Sequence, residues 1–328
     1  MSTLIILGSG FDIDLGLKNS CADYAKSRLC PVIGSKKWSS FENTLREEVI
    51  QWYNNGKEEQ KAKELNQLWQ TYCKNVSWFF TEKSDEFLVT KYKKGRKLRK
   101  VQTSCAYRFL KCIKVNSKSK VYTFNYTNPY EYIDIPQIKE FIHLHGKHYR
   151  DTFDKPLMVM SQGYNIVFGI DECIPEDGIN NPYIHPLVKK YHPQYKKTDI
   201  IVDLLNAENV IFYGFSMGMI DYDYFSDFFN AISNGTTSCK KIYFVTYDKK
   251  GLKDFLGNLS ANKLNIDDVL QQVSIIPIYT SKGFKNRDFR MMLRKFKYAY
   301  STNISCKYRT SLNKNGRNYC FFGYTKIH

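Results

Sequence analysis

The chain of 328 residues carries 49 Lys and Arg against 32 Asp and Glu, a formal charge of +17, and 43% of its residues are hydrophobic. That length and apolar content exclude a disordered chain and a disulfide-stapled miniprotein, and suit one large domain or a core with a sizeable insertion. There is no apolar run of the roughly 20 residues that span a bilayer, no signal-peptide pattern before Leu4-Ile5-Ile6-Leu7, and no framework among the nine cysteines. A cytoplasmic protein with reduced, mostly buried thiols is therefore expected, with no membrane partner.

In chain order, Thr3–Leu7 reads as a buried strand ending in a tight turn at Gly8-Ser9-Gly10, with a helix starting near Asn19-Ser20, whose side chains can cap it. From Trp38 to about Ile113 the apolar residues Phe41, Leu45, Val49, Trp52, Leu65, Leu68, Tyr72, Val76 and Phe79 recur at three- and four-residue spacing, which predicts consecutive amphipathic helices. Strands are expected at 121–124, 141–144, 166–168, 210–213, 242–245 and 273–276, with helices over 199–206, 221–233 and 266–272. Such alternation argues for a parallel sheet covered on both faces. The expected architecture is α/β: a discontinuous Rossmann-like core of residues 1–30 and 118–300, a helical insertion over 31–117, and a basic hairpin or tail over 301–328. The loops 147–164 and 171–197, the second holding Pro175, Pro182, Pro186 and Pro193, are long enough to be lids or binding loops.

The charge is concentrated. Residues 91–120 hold twelve Lys and Arg and no acid, and residues 282–328 hold twelve with Asp288 alone opposing them, which leaves −6 for the rest. Such runs are solvated faces or contacts for an anionic partner such as nucleic acid.

Several residues sit where open α/β sheets bind ligands, just past strand ends. Gly8-Ser9-Gly10 allows close backbone approach to a pyrophosphate, although Ile13 breaks the full glycine pattern, and Asp12 falls beside that ligand position. Asn125 and Thr127 follow the second strand, where an Asx turn is the alternative. His143 and His145 alternate onto one face, as a structural pair or a metal pair without a clear third ligand. Gly214-Phe215-Ser216-Met217-Gly218 matches a nucleophile elbow. The only histidine after it is the terminal His328, so Ser216 reads better as a donor to phosphate or ribose at a helix amino end.

Together these pieces resemble the AbiH family of bacteriophage abortive-infection proteins and, more remotely, the sirtuin-like NAD-binding fold. The resemblance rests on Gly8-Ser9-Gly10-Phe11-Asp12 with Gly16-Leu17, on Phe124-Asn125-Tyr126-Thr127, on Leu144-His145-Gly146, on Val167-Phe168-Gly169, and on Gly214-Phe215-Ser216 with Asp221, in that order over residues 4–225. It implies an antiviral effector that binds NAD or a related nucleotide and hydrolyses its N-glycosidic bond, releasing nicotinamide, with a phage-derived trigger as a further partner for the basic segments. Asn125 would orient the ribose or a water, and His145 would act as general base. Gly8, Ser9, Gly10, Phe11, Asp12, Thr127, Gly214, Phe215, Ser216 and Asp221 would line the nucleotide. Thr127 stands where the sirtuin pattern has aspartate, and the four-cysteine zinc module of sirtuins is missing, which argues against protein deacylation; no metal is expected. The alternatives are a non-catalytic, nucleotide-responsive nucleic-acid-binding module and a serine hydrolase through Ser216. A homo-oligomer is expected, with the amphipathic helices of the insertion as its surface, although packing within one chain satisfies the same pattern.

Overall fold

β1 (Thr3–Leu7) is buried along its whole length, as a continuous apolar run requires of a strand covered on both faces. It lies between β2 (Lys120–Thr123) and β4 (Asn209–Tyr213), with Ile5 paired to Val121 on one side and to Ile211 on the other. β3 (Phe141–His143) extends the sheet beyond β2, and β5 (Lys241–Thr246) and β6 (Ser274–Tyr279) extend it beyond β4. All six strands are parallel in the order β3-β2-β1-β4-β5-β6. The parallel, Rossmann-like sheet expected from the sequence thus takes the doubly wound order, whose direction reverses between β1 and β4, where such sheets leave a crevice. These are features of a computed structural model describing residues 2–18, 21–30, 32–33, 36–37, 41–93, 103–113, 120–127, 141–146, 167–193, 195, 197–298, 311–312 and 318–319.

Strand alternation sorts the core into two faces. Leu4, Ile6, Val210, Phe212, Ile242 and Phe244 pack against α7 (Lys197–Asn206), α8 (Ser226–Ser233), α9 (Lys249–Ala261) and α10 (Ile266–Gln272). Ile5, Leu7, Ile211, Tyr213, Tyr243 and Val245 pack against α1 (Ser9–Leu15), α5 (Cys105–Ile113) and α11 (Arg287–Tyr298).

A third core lies outside the sheet. α2 (Cys21–Ala25), α3 (Phe41–Asn54) and α4 (Glu59–Lys93) bring Tyr24, Leu45, Val49, Trp52, Leu65, Trp69 and Phe79 together with Phe168, Ile170, Ile174, Ile184, Leu187 and Val188. The expected long loop is therefore a folded strap, containing α6 (Glu176–Ile179) and 3-10 turns at His185–Leu187 and Lys189–Tyr191. α5 falls within the range expected for the insertion, yet its buried residues Phe109, Leu110 and Ile113 belong to the sheet. Asp14 explains part of that placement: its carboxylate accepts from the Ala106 amide and the Tyr213 hydroxyl, each at 2.6 Å.

Some local expectations change. No separate turn follows β1; α1 starts at Ser9, with extended Gly8 as its N-cap, and ends at left-handed Gly16. Asn19 and Ser20 lie outside the described residues. Val167 and Phe168 form no strand, because the Phe168 ring turns into the third core against Tyr72 and Tyr126. The helix expected over 221–233 divides into a 3-10 turn, Met219–Tyr224, and α8. Cys73, Cys105 and Cys239 are buried thiols, whereas Cys30, Cys112 and Cys173 are only partly so. Ser311–Leu312 pairs antiparallel with Asn318–Tyr319, as a hairpin requires. Much of both basic segments, and the loop 147–164, lies outside the described residues. Among the described residues no helix is long and apolar enough to cross a membrane.

Candidate functional site

The loops leaving β1 and β4 meet at the sheet reversal, backbone against backbone. The Gly8 amide donates to Tyr213 O and the Gly10 amide to Gly214 O, both at 2.9 Å, and the Phe11 amide closes the first turn onto Gly8 O. Gly214 holds a φ of 62°, and a Cβ there would lie 2.3 Å from the Phe11 nitrogen. A Cβ on Gly10 would lie 2.7 Å from the Gly214 Cα. The glycines thus serve a seam between two strand ends, with the amides of Gly8, Gly10 and Phe11 already engaged within the chain.

Asp12 ties this seam to β2. Its carboxylate is buried, accepts from Asn125 Nδ2 at 3.0 Å, and takes a short hydrogen bond from Thr127 Oγ1. Asn125 Nδ2 also donates to Gly8 O at 3.0 Å, and the Asn125 amide bonds Thr123 Oγ1. Asp12, Asn125 and Thr127 therefore close the carboxyl ends of β1 and β2 as one buried polar lock.

Beside the lock lies His145, placed just past β3 and only 4% exposed. Its ring sits edge-on to Phe124 with centroids 4.8 Å apart and also faces Tyr224. Its Nε2 is buried without a hydrogen-bond partner, the Asp221 carboxylate standing at 3.5 Å. Asp221 Oδ1 also contacts Lys189 Nζ at 3.3 Å, and Glu42 Oε1 meets the same ammonium at 3.2 Å while accepting from the Gly169 amide at 3.1 Å. The Lys189 side chain is only 5% exposed.

The electrostatics follow from burial and crowding. Burial, reinforced by the Lys189 charge and opposed by Asp221, lowers the His145 pKa to about 3. Burial also works against the Lys189 ammonium, but Glu42 and Asp221 outweigh it and hold its pKa above the ordinary lysine value. Glu42 is pushed up by burial against the pull of Lys189, with Asp221 adding to the rise. The cluster is thus a neutral imidazole, a cation and two carboxylates competing for it.

The structure gathers Asp12, Asn125, Thr127, His145 and Asp221 at the carboxyl edge of the sheet, and Gly8, Gly10 and Gly214 into the seam beneath them. It sends Phe11 into the core against Tyr213 and buries Phe215 against Phe124. Ser9 and Ser216 are exposed. Ser216 is not at a helix amino end: Met217 intervenes at a φ of 54° and the following 3-10 turn begins at Met219. The reason is that Gly214 is pinned to Gly10 while Phe215 and Met217 plunge into the core, so the chain zigzags before it can wind. Positive φ falls on Gly214 and Met217 rather than on Ser216, unlike a strained nucleophile elbow. His143 takes a different environment from His145, with Nδ1 3.0 Å from Asn125 O and its ring on Phe141.

Sequence reasoning missed Lys189 and Glu42. Lys189 carried one signal, a cationic residue directly after Leu187-Val188 in a proline-bracketed loop; Glu42 carried none, because only tertiary packing brings α3 to this edge.

The family described as Bacteriophage abortive infection AbiH matches residues 4–243. No curated protein and no solved structure gives a significant match. The matched range spans five of the six strands in whole or part, the third core and every residue of the His145 cluster.

Proposed function

The chain belongs to the AbiH family of bacteriophage abortive-infection proteins, and from that premise we propose that it acts by hydrolysing the N-glycosidic bond of NAD at the His145 edge. The observation that carries this reading is the orphaned, buried Nε2 of His145 beside Asp221, at the carboxyl edge of a sheet in the doubly wound order. A buried polar atom without a partner is costly and is retained where a ligand or reacting group completes it. The strand order and the resemblance to sirtuin-like domains support a nucleotide as that ligand.

In this reaction the bond between C1′ and the nicotinamide nitrogen breaks, and its electron pair leaves with nicotinamide. A water oxygen bonds to C1′ and releases a proton. His145 Nε2 takes that proton, the adjacent Asp221 carboxylate stabilises the imidazolium that results, and Asp221 and Glu42 stabilise the positive charge that develops on the sugar. Asn125 and Asp12 act beneath, fixing the loop on which the sugar rests. Their hydrogen bonds are internal, so Asn125 contributes position more than direct contact.

The test is nicotinamide release from NAD by the purified full-length protein and by cells expressing it, with and without phage. His145→Ala and Asp221→Asn are expected to abolish release and to restore growth where the wild type arrests it. Release indistinguishable among the three proteins would overturn the reading.

A further inference from the structure

The strap 167–193 follows the sheet edge in sequence but is held by the insertion in space. Arg46 Nε meets Asp171 Oδ1 at 2.8 Å, Asn66 Nδ2 donates to Tyr183 O at 2.8 Å, Tyr53 and Lys57 both engage Asp177, and Glu42 accepts from Gly169. At its far end the strap drives Lys189 into the site, where the ammonium and the His145 imidazole approach the same oxygen, Asp221 Oδ1. A lysine in that position is an obstacle to the proposed chemistry. It occupies the acidic side of the imidazole, and its charge opposes protonation of the base. Without it, Glu42 and Asp221 would face each other as two largely buried negative charges, so the site demands a cation whenever Lys189 is absent.

We infer that Lys189 is an intramolecular plug: its ammonium stands in for the cationic sugar centre of the substrate between Glu42 and Asp221, and the insertion keeps the site closed by gripping the strap. This rests on the reading of NAD cleavage above. A signal that displaces α3 or α4 loosens Glu42, Arg46 and Asn66 together, withdraws Lys189, and leaves paired carboxylates to attract a positively charged nicotinamide riboside in its place. An effector that consumes NAD requires such an off-state, and the described state has the base disarmed.

The test compares wild type with Lys189→Met and Glu42→Gln in the full chain, by hydrogen exchange over residues 167–193 and by nicotinamide release from NAD. Glu42→Gln keeps an acceptor for the Gly169 amide and relieves one buried charge, so it remains informative if Lys189→Met fails to fold. Exchange of strap amides roughly tenfold or more faster than in wild type is expected in each folded variant, with nicotinamide release raised by a similar factor in Lys189→Met alone, because Glu42→Gln also removes a carboxylate that stabilises the sugar cation. Unchanged exchange, or measurable nicotinamide release that is no higher from Lys189→Met than from wild type, overturns the plug. Faster exchange with no release from any protein supports the latch and refutes NAD as the substrate.

Discussion

His145 should remain uncharged across the whole physiological range, and this can be measured directly. With a pKa lowered to about 3 by burial and by Lys189, only about one ring in a thousand is protonated at pH 6. The chain has six histidines, so selective isotope labelling of the imidazoles gives few resonances, and the one lost in His145→Gln identifies the site. That resonance should stay at its neutral position from pH 8 to pH 5 while a solvated imidazole titrates near 6.5. The same shift has a sign in stability. Because the folded value is depressed, the unfolded chain takes up the proton first; the contribution is intact above about pH 6.5 and is lost as pH falls toward 3. Between pH 7.5 and 4.5 the wild type should lose about 2 to 3 kcal/mol relative to His145→Gln, measured by urea unfolding at each pH. A His145 resonance with a midpoint near 6.5, or parallel stability profiles for the two proteins, would refute the assignment of a buried, cation-flanked ring.

Other substitutions test the scaffold. Asp12→Ala strands the Asn125 and Thr127 donors and should cost about 2 to 5 kcal/mol of unfolding free energy, whereas an equally stable variant would mean the lock is dispensable. Gly214→Ala places a methyl 2.3 Å from the Phe11 nitrogen at a φ of 62° and should yield insoluble protein or a thermal midpoint many degrees lower; near-wild-type melting would contradict the seam. Lys57→Ala removes an exposed partner of Asp177 and should leave the midpoint unchanged, since exposed pairs contribute little. A large loss there would make the strap depend on its outer contacts rather than on its apolar core.

The strands were legible because runs such as Val210-Ile211-Phe212-Tyr213 combine β-branched and aromatic residues between polar breaks. The ends of β1, β2, β3 and β4 were legible for the same reason, and with them the placement of Asp12, Asn125 and His145 along one edge, whereas Asp221 entered only through the family resemblance. Three helices of the sheet layer escaped: α1, whose Gly8-Ser9-Gly10 start reads as a turn, α9 and α11. In α9 the glycines Gly251 and Gly257 interrupt the periodicity, although Asp248 accepts from the amides of Lys250 and Gly251 as an N-cap should. In α11 the charge run concealed Phe289 and Met292, both buried under the sheet. Ser216 misled because a five-residue pattern does not encode the φ values of its neighbours. The pairing of Glu42 with Lys189 depends on how two distant segments dock, which no local spacing records.

The third core has a consequence for how this protein can be shortened. Phe168, Ile170, Ile174, Ile184, Leu187 and Val188 have their apolar partners in α2, α3 and α4, so excising those helices would strip the cover from six hydrophobic residues elsewhere in the chain. A trimmed variant that keeps only the sheet and its flanking helices would then expose a continuous sticky strip and aggregate. The helices and the strap are therefore a single removable unit: a viable minimal version, natural or engineered, must lose both or retain both.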